Sequence, residues 1–284
     1  MKRHHFTTEL AEALEVSRSG WDMHTRKEQR PRRRQDRQLS AALKPLFIEN
    51  RRTYGSPRLT RCLHRQGQRC GKNRIARLMR ELGLRACQKR RFRPQTTHSG
   101  HGLSVAANWL ARVPTPDRLN QIWIADITYL PTTEGWLYLA GILDACSRRC
   151  IGWQIGESLQ ADLVIAAWRK ACNNRGVPAG LIHHSDRGVQ YASGDFQNQL
   201  SIHGVTPSMS RKGNCYDNAE MESFWATLKT EAFGDNPPTS KSHTKLMIFD
   251  YIETFYNPKR LHSSLNYQSP LEFERSFLYT KPLN

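Results

Sequence analysis

Three carboxylates in this sequence stand on segments of different pattern, each suited to holding a side chain still. Asp126 lies within Gln-Ile-Trp-Ile-Ala-Asp-Ile-Thr-Tyr (121–129), an apolar run that reads as a strand. Asp186 follows Leu181-Ile182-His183-His184-Ser185, a short strand that delivers it into a turn marked by Gly188. Glu222 lies in 214–229, where the period becomes helical: Met221, Phe224, Trp225 and Leu228 share one apolar face. Glu222 sits beside that face, and Lys229, seven residues on, returns to the same side after about two turns.

Carboxylates on separate elements are what a paired-metal phosphoryl-transfer site requires. Exchanging a phosphodiester means stabilising an attacking oxygen, a leaving oxygen and added charge at phosphorus. Two Mg²⁺ ions roughly 3.5–4 Å apart do this. Mg²⁺ is hard, keeps several waters and is held by one or two carboxylates plus substrate phosphate oxygens. Mn²⁺ accepts the same oxygen ligands, whereas His or Cys would suit either ion poorly.

Neighbouring groups have plainer roles. Glu220 and Glu222 are two apart on the predicted helix, about 200° around it, so one alone faces the metals. The side shared with Trp225 and Lys229 selects Glu222. Asp217 is expected to cap that helix and Asp144 to close a strand in a turn. His184 reads as a buried, hydrogen-bonded histidine, and Gly188 and Gly213 as turn formers.

These residues must be positioned by the rest of the chain. From residue 119, Gln121–Leu130, Trp136–Leu143 and Cys150–Glu157 alternate as three consecutive strands, the first turn falling at Thr133-Glu134-Gly135. Ala161–Asn174 is then a helix, Leu181–Ser185 a fourth strand, Asp195–His203 a helix and Val205–Met209 a fifth strand. Residues 245–257 form another helix, with Leu246, Phe249, Ile252, Phe255 and Tyr256 as its apolar face. Cys146 and Cys150 are expected on one sheet face rather than as half of a zinc site.

Charge divides the chain. Residues 1–116 hold 27 Lys and Arg against 8 Asp and Glu, a net of +19, while 117–284 hold 16 against 17. So lopsided a basic region is expected to meet phosphates. Within it, 7–26 reads weakly as helix and Arg30–Arg37 as a basic linker. Three helices follow: one with Leu39, Leu43, Leu46 and Phe47; one opened by Pro57 with Leu59, Cys62 and Leu63; and one over 73–82. The third puts Ile75, Leu78, Met79 and Leu82 inward and Arg74, Arg77 and Arg80 outward, with Gly83 ending it. This is a helix-turn-helix-like pattern. Lys89, Arg90 and Arg91 add a second basic cluster before a linker. The seven cysteines form no paired knuckles, which suggests reduced thiols in a cytoplasmic protein. No apolar run approaches ~20 residues, so no membrane span is expected.

Trp123-x-x-Asp126-Ile-Thr-Tyr, His184-Ser-Asp186-Arg-Gly-x-Gln-Tyr191 and Asp217-Asn-Ala-x-x-Glu222-Ser-Phe together resemble the core of DDE transposases, more narrowly the third insertion-sequence family. The resemblance spans about 37 to 273. It extends to Tyr54-Gly-x-Pro-Arg and Arg77-Leu-Met-Arg-x-Leu-Gly-Leu84 before the core. It also covers an ending with Arg260, His262, Leu265 and Pro270. It implies an RNase H-like integrase core, a mixed five-stranded sheet with flanking helices, preceded by a small all-α helix-turn-helix-like domain. The expected division is a helical and basic segment at 1–36, the DNA-binding domain at 37–93, a linker at 94–115, the core at 116–275 and a tail at 276–284.

The resemblance further implies that Asp126, Asp186 and Glu222 hold two Mg²⁺ ions, with Mn²⁺ able to substitute, and that Lys229 holds DNA backbone. Arg74, Arg77, Arg80, Lys89, Arg90, Arg91, Arg260 and His262 are the other candidate DNA contacts; for His262 a satisfied helix-end role is the equal alternative. The implied partners are double-stranded DNA (element ends and target), at least one further copy of the chain, and a first-frame helix-turn-helix protein. A bacterial, nucleoid-associated location goes with them. Two other readings stay open: a metal-dependent nuclease on the same core that cuts without joining, and a non-catalytic DNA-binding repressor. A retroviral-type integrase fits less well, because no His-His-Cys-Cys cluster stands at the amino end.

Overall fold

In a computed structural model, residues 12–17, 19–20, 31–87, 103–211, 215–234 and 240–280 are described. The chain forms two compact units, Met1–Ala86 and Cys87–Asn284. In the first, α1 (Pro31–Glu49), α2 (Ser56–Arg65) and α3 (Lys72–Glu81) bury Leu39, Leu43, Leu46, Phe47, Leu59, Leu63, Ile75, Leu78 and Met79 together. Pro57 sits in the first turn of α2, where its missing N–H has no helical partner to lose. Gly83 (φ +67°) follows α3, and Leu84 N–H closes the end on Met79 O at 2.8 Å.

Two expectations for this unit are corrected. The segment expected as a linker, 31–37, is the opening of α1, which starts on Pro31. Proline suits a helix start, and Asp36 ties this stretch to α3 (below). Leu82 lies beyond the last turn of α3 and is 40% exposed, not inward. The weak helix at 7–26 lies mostly outside the described residues.

In the second unit β1 (Ile122–Thr132), β2 (Gly135–Asp144), β3 (Cys150–Gly156), β4 (Ile182–Ser185) and β5 (Thr206–Met209) form one sheet in the order β3-β2-β1-β4-β5. β1, β2 and β3 pair antiparallel, and β4 and β5 join parallel. This is the mixed five-stranded sheet expected. α4 (Ala161–Arg175) covers one face, with Trp123 and Trp168 edge to face at 5.4 Å. α5 (Gly194–Ile202) adds Phe196 and Leu200 to that core.

A short 3₁₀ turn leads into α6 (Ala219–Phe233), followed by α7 (Lys241–Phe249), a π-helical stretch Asp250–Tyr256 and α8 (Pro270–Thr280). Leu246 and Phe249, expected inside, are 68% and 54% exposed. The wider turn resets the helical register after Phe249, so Tyr251, Ile252, Phe255 and Tyr256 take the buried face. α8 continues five residues past 275, where the sequence suggests the core ends. Cys150 lies in β3 but Cys146 falls in the turn before it, so the two do not share a strand face; Cys62, Cys70, Cys87, Cys146, Cys150 and Cys172 are free.

Candidate active site

The sheet brings two of the three carboxylates level. β1 and β4 run parallel with Ile122 opposite Ile182 and Ile124 opposite His184. Asp126 and Asp186 each lie two residues beyond that last pair, on adjacent strands and with the same alternation. Asp126 is in the middle of β1, and Asp186 is the first residue past β4. Gly188 N–H donates to Asp186 Oδ1 at 2.9 Å. A Cβ at 188 would stand 3.0 Å from that oxygen, so glycine serves close approach here and not an unusual turn, for its φ is −62°.

α6 crosses this part of the sheet and supplies Glu222 from its first turn. Glu220 is taken by Arg148 at 3.1 Å, while the charge of Glu222 is felt at Asp126. Trp225, one turn on, donates its indole N–H to Asp126 Oδ2 at 3.0 Å. The ring lies on Gly141, the cross-strand partner of Asp126.

The electrostatics centre on Asp126. Burial, then the charge of Asp186 and in lesser measure that of Glu222, holds its carboxyl well above the usual carboxylate range, against the N–H groups of Ile127 and Trp225. Burial also raises Glu222. Lys229 is lowered by burial, with the Asp126 charge opposing that shift. Tyr129 and Tyr191 are raised by burial and then by surrounding groups that include both aspartates. Among the described residues, no three His, Cys, Asp or Glu side chains are gathered tightly enough to hold an ion by themselves.

His184 is fully buried between Ser208 Oγ (2.8 Å from Nδ1) and Ser210 Oγ (3.1 Å from Nε2). Burial pulls its pKa down to about 4, so it is a neutral structural histidine. Asp144 closes β2 as a turn residue, accepting from the N–H groups of Asn120, Cys146 and Ser147. Asp217 does not cap α6, whose N-cap is Asn218 with no side-chain bond. Its carboxylate instead accepts from Arg211 at 2.9–3.1 Å and from Asn108 at 2.8 Å, tying two incoming segments together. Gly213 lies outside the described residues.

The candidate DNA contacts divide. Arg74 and Arg77 clasp Asp36 at 2.6 and 2.7 Å, and Arg74 also reaches Gln35, so both brace α3 against α1 rather than standing clear. Arg80 is exposed on α3. Lys89, Arg90 and Arg91 lie outside the described residues. Arg260 faces inward, not outward: it is 5% exposed and grips Glu231 through two bonds of 2.7 Å. His262 lies 3.4 Å from Arg260 and edge-on to Tyr256 at 5.0 Å, the satisfied alternative.

Sequence reasoning placed Trp225 on the side of Glu222 but gave it no bond to Asp126, and it passed over Gly141. Counting back from the two-residue turn between Thr132 and Gly135 would have paired 126 with 141.

Two family models described as integrase core domains match residues 116–215 and 203–270, and one described as an HTH-like domain matches 33–92. The chain is 43% identical over 268 residues to the insertion element IS600 uncharacterized 31 kDa protein of Shigella sonnei, covering 94% of this chain and 98% of that one. It is 39% identical over 271 residues to the transposase InsF for insertion sequence IS3A of Escherichia coli K12, covering 95% and 94%. The transposase for insertion sequence element IS904 of Lactococcus lactis is 40% identical over 237 residues, covering 84% and 93%. Among solved structures, the HTLV-2 integrase catalytic core domain in complex with magnesium aligns at TM-score 0.41 and 14% identity, over 54% of this chain and 95% of that one.

Proposed function

Because this chain belongs to the DDE transposases of the IS3 family, with an integrase core and a helix-turn-helix-like unit, we propose that Asp126, Asp186 and Glu222 are its catalytic carboxylates and that divalent cations are what they hold. What carries this reading is the level register of Asp126 and Asp186, with the charge of Glu222 reaching the same Asp126. An all-oxygen donor set suits Mg²⁺ or Mn²⁺. Like charges around a half-buried aspartate are relieved by a cation. With no three carboxylates closed on one point, Asp126 and Asp186 would hold one ion and Asp126 and Glu222 a second, the remaining ligands being water and DNA phosphate. Ions so held stabilise the attacking and leaving oxygens of an in-line displacement.

The reaction is cleavage followed by strand transfer. A water oxygen bonds to phosphorus as the 3′ oxygen leaves, freeing a 3′-hydroxyl at the element's end. That hydroxyl then bonds to a second phosphorus in the target as another 3′ oxygen leaves. Lys229, on the helix that carries Glu222, holds the DNA backbone beside the reacting phosphate. Arg80 contacts DNA from α3, and Lys89, Arg90 and Arg91 are further DNA-contacting residues by their charge. The working division is a DNA-binding domain that opens with α1 and runs to 93 and a catalytic core from 116 to the end of α8, joined by 94–115. Two paired element ends call for at least two copies of the chain, a first-frame helix-turn-helix protein is the further partner, and the bacterial nucleoid is the place of action. No helix among the described residues is long and apolar enough to cross a membrane.

Incubating the full chain with candidate element ends and Mg²⁺ or Mn²⁺ tests this. Joined products are expected from the wild type and none from Glu222→Gln, which should still bind ends. Free cut ends without joined strands would favour a nuclease; joining by Glu222→Gln would overturn the carboxylate assignment.

A further inference from the structure

Asp126 meets an unusual neighbour for a carboxylate of this kind. The Trp225 N–H stands 3.0 Å from its Oδ2. The indole reaches that far only because residue 141 lacks a side chain: a Cβ there would lie 2.6 Å from the ring's Cη2 and 3.2 Å from Cζ2. Gly141 is also the residue directly across from Asp126 in β2, so the ring rests on one strand and aims its donor at the next. An indole N–H donates one bond, accepts none and carries no charge. It can therefore fix the rotation of a carboxylate without neutralising it and without competing for a cation. Trp225 is three residues from Glu222 on the same helix, so one rigid element carries Glu222 and orients Asp126.

We propose that Trp225, seated on Gly141, is a positioning residue for Asp126, engaging one oxygen lone pair so that the others face the cations shared with Asp186 and Glu222. This rests on the metal-holding reading of Asp126 given above. Groups that hydrogen-bond a metal's ligands are worth roughly 10–100-fold in metal affinity or activity.

The test uses the full chain carrying Trp225→Phe, which keeps an aromatic ring over Gly141 and loses the donor. The Mg²⁺ concentration giving half-maximal joining is expected to rise about tenfold. The Mg²⁺ concentration needed to raise the thermal midpoint, measured without DNA, should rise by the same factor. The midpoint in EDTA and the affinity for uncleaved ends should stay near wild type. Should Trp225→Phe fail to fold, 3-benzothienylalanine at position 225 replaces the N–H with sulfur in a ring of the same shape. Unchanged Mg²⁺ half-points in either variant overturn the positioning role. Asp126→Asn separates the two ideas: if it still joins strands, the metal-holding reading fails; if it is inactive while the position-225 variants respond to Mg²⁺ as wild type does, only the role of Trp225 fails.

Discussion

Carboxylates are drawn in from solvent in two regions of the core, with opposite outcomes. Away from the sheet centre, Glu231 on α6 and Glu274 on α8 are each met by arginine. Glu231 receives two bonds from Arg260 and one from the Tyr251 hydroxyl, and Glu274 receives Ser147, Arg149 and Arg175. At the centre of the sheet Asp126 receives an uncharged indole N–H and two further negative charges. Removing charge from water costs several kcal/mol per ion unless something offsets it. The clasp offsets that cost within the chain; at the sheet centre the charges of Asp126 and Lys229 act on one another, yet the Asp126 carboxyl stays raised, and on the proposed reading a cation from outside offsets the rest. Burial therefore marks neither region as functional. What separates them is whether each carboxylate is directly paired with an arginine, as Glu231 and Glu274 are, or stays raised as Asp126 does.

The largest effects should break the two regions in different currencies. Asp186→Asn is expected to lower joining by about 10³-fold or more while leaving the fold and end binding intact, measured as joined product per bound end. Arg260→Ala should do the reverse. It strands Glu231 at 7% side-chain exposure, and removing one partner of such a pair costs about 3–5 kcal/mol, read as a lowered thermal midpoint. Joining per folded molecule should stay within a few-fold of wild type. If Arg260→Ala instead lost DNA binding without losing stability, the outward reading of Arg260 would return.

That pair of residues also marks how far sequence alone reaches. The strands were legible because alternation along 121–157 is long and the turns are short, and Asp126, Asp186 and Glu222 stood out by residue type and surroundings. Arg260 was not legible, since an arginine in a basic tail looks the same whether it faces DNA or a glutamate 29 positions away. The pairing of Arg74 and Arg77 was hidden for the same reason, their partner Asp36 lying 38 and 41 positions back. Pairing across such separations is decided by packing, and local period carries no trace of it. Leu246 and Phe249 failed differently: a π-helical turn changes the period in mid-helix, and no residue there announces it.

A smaller effect sharpens the contrast through stability. The folded chain holds the Asp126 proton more readily than the unfolded chain does. Without divalent ions, stability is therefore fullest below the ordinary carboxylate pKa and is lost as pH rises through the raised one. Asp126→Asn removes that loss. Its midpoint at neutral pH in EDTA should exceed wild type by about 2–4 °C, of the order expected when one destabilising functional group is removed. Mg²⁺ should raise the wild-type midpoint and leave that of Asp126→Asn unmoved. A lower midpoint for the variant would mean that Asp126 is compensated from within, as Glu231 is.

The smallest effect carries the same distinction to the arginines of α3. Arg74 is engaged by Asp36, Gln35 and the Arg32 carbonyl, while Arg80 is exposed. Burial opposes ionisation of Asp36, but the N–H groups of Arg74 and Arg77 outweigh it and hold its carboxyl below the usual range. That contribution is present at neutral pH and is lost as pH falls through the lowered pKa. Arg74→Ala should thus cost about 1 kcal/mol of stability, an effect that fades on acidification. Arg80→Ala should leave the midpoint unchanged and reduce the slope of log affinity against log salt by about 1, as loss of a single phosphate contact does. Equal salt slopes for the two variants would mean that an arginine tied to Asp36 still reaches the phosphates, and that on this helix a built-in partner does not remove a charge from recognition.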